Sequence, residues 1–187
     1  KSTSVYGQSK IESENLIKYY AFNKGVKSIC LRYFNPVGSH KEAIVVEDYS
    51  NKPSNLMPKL IEAVKSGKNI IDVYGKDYDT KDGTGERDYI HITDLVEGHI
   101  AAMDKVQKIE NIDFFNLGTG QSTSVVELVS IFNKTNGFNI ITNFVDRRKG
   151  DVAICYSNPK KAHNELNWQA KLNLERMCKD AWEAVKK

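Results

Sequence analysis

The sequence predicts an α/β fold containing at least part of a parallel sheet. Short apolar runs rich in strand formers, "SICLRYF", "IIDVYG", "RDYIHI", "DFFNLG" and "NIITNFV", recur along the chain. Between them lie longer stretches in which apolar residues return every three to four positions, bounded by capping or breaking residues. No internal repeat, low-complexity segment or linker divides the 187 residues, which suffice for about one domain.

The elements follow in order. From Val5 to Lys24 the pattern is helical, with Ile11, Leu16, Ile17, Tyr20 and Ala21 apolar and Gly25 as the stop. The run from Ser28 is a strand that Asn35–Pro36 ends, since proline offers no N–H to a ladder. A polar stretch through Asn51 leads to the helix "NLMPKLIEAVKSG", closed by Gly67. "IIDVYG" is a strand entering an Asp/Gly-rich loop from Lys76 to Glu86, "RDYIHI" is another, and Asp94 is read as the cap of the helix through Lys105. After "DFFNLG", Ser124 and Glu127 form a capping-box pattern, and Asn136–Gly137 stops that helix. "NIITNFV" then leads to "DRRKGD", Asn158–Pro159 opens a helix, and Asn173 is placed to cap the last one.

With 40% apolar residues the chain reads as an ordinary soluble globular protein. Its formal net charge of +3 is spread along the sequence, so no basic run suggests a nucleic-acid or membrane surface. Lys59, Lys65 and Lys68 read as a solvated helix face. The three cysteines are far apart and odd in number, which favours a reducing, cytoplasmic setting. No apolar run approaches the ~20 residues that cross a bilayer.

Among chemistry-bearing residues, Tyr6 and Lys10 stand at i and i+4 of the first helix and are neighbours on one face. A phenol is a poor base at neutral pH unless positive charge favours its phenolate, and an ammonium one turn away supplies such charge. Taken alone the pair is weak evidence, because both residue types are common on helices. Arg87 closes the loop "DGTGERDY" and Arg148 follows a strand; a guanidinium fork at either place suits a diphosphate, or serves as a surface ion-pair partner. "NLGTGQS" has two glycines between strand and helix, but Thr123 stands where a dinucleotide loop needs a third, and it reads as a tight turn. The acidic loop is out of register for calcium, the four histidines lack metal-ligand spacing, and His91 reads as structural; no metal is expected.

The order of motifs carries more than any one of them. "YGQSK", "LRYFNPVGSH", "SNLMPKL", "VYGKDYDTKDGTGERDYIHITDLVEGH", "FFNLGTG" and "DRRKGDVAICYSNPKKA" together closely resemble the UDP-glucose 4-epimerases, which are extended short-chain dehydrogenase/reductases. The resemblance covers essentially the whole chain. In that family a glycine-rich NAD loop and a catalytic serine or threonine precede the tyrosine. With Lys1 in place of methionine and only five residues before Tyr6, the chain is expected to be a C-terminal portion, inactive and aggregation-prone alone. The implied fold is the end of an NAD-binding Rossmann domain over residues 1–40 and, mainly, the smaller α/β UDP-sugar domain over 41–187. Strands near 88–120 would return to the Rossmann sheet.

The resemblance implies that Tyr6 takes the proton of the sugar 4-hydroxyl while hydride leaves the same carbon for tightly held NAD. A 4-keto sugar then turns over and is reduced on its other face, in the service of galactose metabolism. Lys10 would support the tyrosine and hold the nicotinamide ribose, with Tyr33 and Pro36 beside the nicotinamide. Asn35 and Asn55 would hold the UDP-sugar, Arg87 and Arg148 its diphosphate, Asp151 the ribose, and Tyr74 with Leu56 the uracil. Cys155 stands where some members carry a tyrosine that closes the sugar pocket, so a small thiol would also admit N-acetyl sugars, or else only fills space. A homodimer through the Tyr6 helix is implied. A UDP-glucuronate 4-epimerase, a dTDP-sugar dehydratase and a non-catalytic nucleotide-sugar-binding module are the alternatives.

Overall fold

The computed structural model of the protein describes residues 4–42 and 55–186. Asn51, where the expected polar connection ends, lies outside them. Helix α1 (Val5–Lys24) is bounded as the sequence expects: Ser4 Oγ accepts the Gly7 N–H at 3.0 Å, and Gly25 adopts a left-handed φ of 66°. Little apolar contact holds it. Ala21 is its buried residue, while Val5, Leu16, Tyr19 and Phe22 stay exposed. A charged fork does more: Arg32 donates from Nε and Nη2 to the two oxygens of Glu14, each at 2.7 Å, and lies over the Phe114 ring. The hydrogen bonds from Arg32 hold the Glu14 carboxyl below its usual range.

Strand β1 (Ser28–Tyr33) runs parallel to β6 (Ile112–Leu117), with Ser28 opposite Ile112. The chain does not leave the extended state at Asn35–Pro36 as expected; it resumes as β2 (Asn35–Val37), parallel to β5 (Tyr89–His91). Asn35 turns its N–H to the Asp88 carbonyl at 2.9 Å, so by the two-residue alternation Pro36 points its bare nitrogen to the other edge, where nothing in this ladder is lost. β3 (Ile70–Tyr74) pairs in parallel with β8 (Ile141–Val145). "RDYIHI" splits at Asp88 into β4 (Glu86–Arg87) and β5. β4 lies between β7 (Thr123–Ser124), antiparallel, and β9 (Ile154–Cys155), parallel.

The remaining helices among the described residues are α2 (Leu56–Lys65), α3 (Ile92–Val106), α4 (Val125–Asn136), α5 (Lys160–Leu166) and α6 (Leu174–Glu183). Ser124 and Asn173 cap as predicted, accepting from the Glu127 and Arg176 N–H groups at 3.0 and 2.9 Å. α5 begins at Lys160, one residue after the expected proline, with Asn158 Oδ1 accepting its N–H at 3.2 Å. The cap of α3 is His91, whose Nδ1 accepts from Thr93 N–H at 3.0 Å. Asp94 sits inside the helix instead, because its Oδ2 is engaged by the Lys171 and Leu172 N–H groups at 3.0 and 2.9 Å.

Two apolar clusters support these elements. One joins β1 and β6 to α3 and α5 through Ile90, Leu95, Phe115, Leu117 and Trp168. The other packs α2, α4 and α6 on β3 through Leu60, Ile61, Val73, Leu128, Phe132 and Met177. Each such side chain stabilises the fold by about 1.5–3 kcal/mol when fully buried.

Where β5 and α6 meet, His91 is almost completely buried, with Nε2 3.2 Å from Asp180 Oδ2; Asp180 is also bonded by Arg176 Nε at 2.7 Å. With Nδ1 accepting from Thr93, the neutral ring donates from Nε2 to the carboxylate. Desolvation pushes the imidazole below its ordinary pKa, and the opposing pull of Asp180 does not cancel it. The unfolded chain therefore binds a proton that the folded one resists, so stability rises with pH below about 6.5 and levels off above it. Thermal melts from pH 7.5 to 5.5 are expected to show Tm falling at the acid end, with a shallower fall in His91→Gln. Equal slopes in the two proteins would contradict this assignment.

Candidate active site

A cavity of about 900 Å³ opens where α1, the β1–β2 connection, α2 and α3 converge. Six of the residues singled out from the sequence line it. α1 presents Tyr6 from its first turn, the end of β1 and the start of β2 bring Tyr33, Asn35 and Pro36, and the start of α2 brings Asn55 and Leu56. Ile92, Thr93 and Val96 of α3 add a wall, and Tyr89 with Ala181 closes the back. Burial pushes the Tyr89 phenol up to about 12, so it stays neutral and serves as wall. The size falls within the range of small-molecule sites, about 300–1,000 Å³.

Tyr6 is 72% exposed at this cavity, and Lys10 holds its Nζ 5.1 Å from the Tyr6 ring centroid. Helical spacing, fixed by the Ser4 cap, accounts for that adjacency. Lys10 does not line the cavity itself.

A second group lies at the ends of β3 and β8. The Arg148 guanidinium stacks 3.8 Å from the centroid of the Tyr74 ring, and Lys59 of α2 approaches that ring at 5.2 Å. Lys59 donates its N–H to the Asn55 carbonyl, which links Tyr74 to the helix end that lines the cavity. The neighbouring Arg147 is otherwise engaged, bonding Asp77 Oδ1 from Nε at 2.7 Å and lying 4.2 Å over Tyr78. Hydrogen bonding from Arg147 holds the Asp77 carboxyl below its usual range. Asp151 is exposed in the turn that follows, its N–H reaching the Arg148 carbonyl at 3.3 Å.

The third group is Arg87 with Cys155, opposite one another in the β4–β9 ladder. Arg87 Nη1 donates to the carbonyls of Glu86 and Val152 at 2.8 and 2.9 Å, and Cys155 is exposed. Tyr74, Arg87, Arg148, Asp151 and Cys155 are not among the residues lining the cavity.

Asp88, which sequence reasoning passed over, joins the first group to the third. Its backbone takes the Asn35 N–H and gives its own N–H to Cys155 at 3.1 Å. Its completely buried carboxylate accepts from Thr119 N–H at 2.9 Å, Thr119 Oγ1 at 2.5 Å, Gly120 N–H at 3.0 Å, and the Ser157 N–H and Oγ at 3.1 and 2.6 Å. The one available signal was a charged residue amid strand formers, since a buried charge demands several donors. The same network explains "NLGTGQS": a Cβ on Gly118 would stand 2.6 Å from Asp88 Oδ2 and 2.5 Å from Ser157 Oγ. That glycine serves close approach to a carboxylate. The wall residues Thr93, Val96 and Ala181 carried no sequence signal, being ordinary helix positions.

Comparison with known proteins bears on this arrangement. Residues 1–118 match the NAD dependent epimerase/dehydratase family. The chain is 44% identical over 183 residues to a UDP-glucose 4-epimerase of Bacillus subtilis (strain 168), covering 97% of this chain and 54% of that protein. It is 44% identical over 181 residues to the Homo sapiens UDP-glucose 4-epimerase, covering 96% and 52%. Among solved structures, the UDP-glucose 4-epimerase of Bifidobacterium longum in complex with NAD+ and UDP superposes with a TM-score of 0.92 at 38% identity, over 99% of this chain and 55% of that one. The Stenotrophomonas maltophila UDP-glucose-4-epimerase, with bound NAD and formylated UDP-arabinopyranose, gives 0.91 at 38% identity, over 97% and 54%. The chain thus spans about half the length of the curated relatives it matches.

Proposed function

The chain belongs to the NAD dependent epimerase/dehydratase family, and from that premise we propose that the protein interconverts UDP-glucose and UDP-galactose by NAD-dependent 4-epimerisation. The observation that carries this is the Tyr6–Lys10 pair, set beside a cavity that Asn35 and Asn55 also line. Relatives of this sequence are UDP-glucose 4-epimerases, and solved relatives hold NAD with UDP or a UDP-sugar.

Tyr6 takes the proton from the sugar 4-hydroxyl and returns it when the configuration has been reversed. Lys10 stabilises the negative charge that develops on the phenol oxygen. Asn35 and Asn55 direct side-chain amides to the sugar. Arg87 and Arg148 bind the diphosphate, where paired guanidinium forks place most of the binding energy at the nucleotide end. That leaves the sugar loosely held and able to turn over. Leu56 and Tyr74 hold the uracil, Asp151 the ribose.

The residues present suit the nicotinamide end of a dinucleotide: Tyr33 and Pro36 give the cavity flat apolar walls beside the reactive phenol. Tyr33, Pro36, Tyr6 and Lys10 would hold that end. When bound, the dinucleotide supplies reversible hydride acceptance without net oxidation of the sugar.

Residues 1–40 are taken as the end of a nucleotide-binding domain and 41–187 as mainly the UDP-sugar domain. The exposed apolar residues of α1 favour a homodimer through that helix, and three free cysteines suit a cytoplasmic location.

In protein isolated from its source, UDP-galactose is expected to convert to UDP-glucose in an assay coupled to UDP-glucose dehydrogenase. Tyr6→Phe should lower kcat by about 10²–10⁴-fold, the range of general acid–base catalysis. A Tyr6→Phe protein as active as wild type would end the assignment of Tyr6 as base, and turnover of UDP-glucuronate or a dTDP-sugar alone would redirect the substrate.

A broader substrate range rests on Cys155. We infer that this small side chain, exposed in β9 outside the cavity lining, admits an acetamido group, so UDP-N-acetylglucosamine and UDP-N-acetylgalactosamine are also taken as substrates. Cys155→Tyr is expected to abolish N-acetyl turnover while sparing UDP-glucose; unchanged N-acetyl activity would remove this role.

A further inference from the structure

Tyr33 is held by a residue that the reaction scheme above does not use. Its hydroxyl lies 2.8 Å from His99 Nε2, with the two ring centroids 5.2 Å apart. The other imidazole nitrogen, Nδ1, is 2.8 Å from the Leu95 carbonyl oxygen, one turn back along α3. A carbonyl can only accept, so Nδ1 carries a hydrogen. In the neutral ring Nε2 is then the acceptor, and the Tyr33 hydroxyl donates to it. Helical spacing places His99 on the stripe of Ile92 and Val96, which line the cavity, so it stands one turn beyond them.

On the reading of this cavity as the sugar and nicotinamide end of the site, we propose that His99 is the positioning residue for Tyr33. Tyr33 is about half exposed and belongs to neither core cluster among the described residues, so without an anchor its ring would sample several rotamers. His99 removes that freedom in two ways. The Leu95 carbonyl sets the tautomer, and the tautomer sets which hydrogen-bonding function Tyr33 keeps. Because the Tyr33 hydrogen is committed to Nε2, the oxygen meets a cavity occupant only as an acceptor. The occupant's matching group is an N–H or O–H donor, such as a carboxamide or a sugar hydroxyl. A protonated His99 would donate from both nitrogens and reverse this polarity.

The test uses NMR spectra of the protein at the length its source produces, freed of ligand and labelled at histidine nitrogens and tyrosine carbons, with circular dichroism to follow folding. Wild type is expected to show His99 protonated at Nδ1 and bare at Nε2. Tyr33→Phe should shift Nε2 toward the value of a free acceptor nitrogen. His99→Leu should move the Tyr33 ring signals toward those of an unrestrained tyrosine, and His99→Gln, whose side-chain oxygen can accept in place of Nε2, should restore them. A merely packing role for His99 would leave the Tyr33 signals unmoved in a folded His99→Leu protein, and that result overturns the proposal. So does an Nε2-protonated ring in wild type. Should His99→Leu fail to fold, the response of Nε2 to Tyr33→Phe decides. A negative epimerase assay would not alter these spectra, so the two ideas fail separately.

Discussion

One buried carboxylate ties this structure together. Asp88 stands at the break between β4 and β5, and its carboxylate, wholly removed from solvent, is satisfied by donors from Thr119, Gly120 and Ser157. An ionised group in such a place is costly unless hydrogen bonds replace its hydration, and charge-assisted bonds of this kind contribute about 1.5–3 kcal/mol each. The consequence is geometric. Segments from three distant parts of the chain must meet at a point, and the backbone of the same residue carries β2 on one side and β9 on the other.

That point joins the chemistry. Asn35 hangs from the Asp88 carbonyl and faces the cavity with Tyr6, whereas Arg87 precedes Asp88 and Cys155 receives its N–H through the carbonyl. Displacing the carboxylate would therefore move the cavity-lining strand β2 relative to the arm that carries Arg87. The helix bearing Tyr6 is attached differently, by the Glu14–Arg32 fork and one buried alanine. Its Tyr6 end is accordingly placed by a surface ion pair and a cap, and its apolar outer side stays exposed.

Local rules account for what was legible in the sequence. The bounds of α1 follow from Ser4 and Gly25, and the caps at Ser124 and Asn173 act through side-chain oxygens one turn away. What was not legible depends on distance along the chain. Asp94 looks like a cap to any local rule, but residues far downstream claim its carboxylate, and His91, held by Asp180, takes the cap. β2 was lost to the proline rule because the rule does not know which edge of a strand is paired. For the candidate site, Tyr6 and Lys10 are adjacent by helical spacing alone, Arg87 and Arg148 stood out as guanidinium forks beside loops, and the remaining candidates came from resemblance. The role of Asp88 was invisible because its partners lie about 30 and 70 positions away.

The claim that Asp88 couples these strands is tested most directly by amide hydrogen exchange in Asp88→Asn. An amide there turns one oxygen into a donor facing other donors. Protection should fall together at Thr119, Gly120 and Ser157 and, through the shared backbone, at Asn35. Loss confined to Thr119 and Gly120, with Asn35 and Ser157 as protected as in wild type, would contradict the coupling.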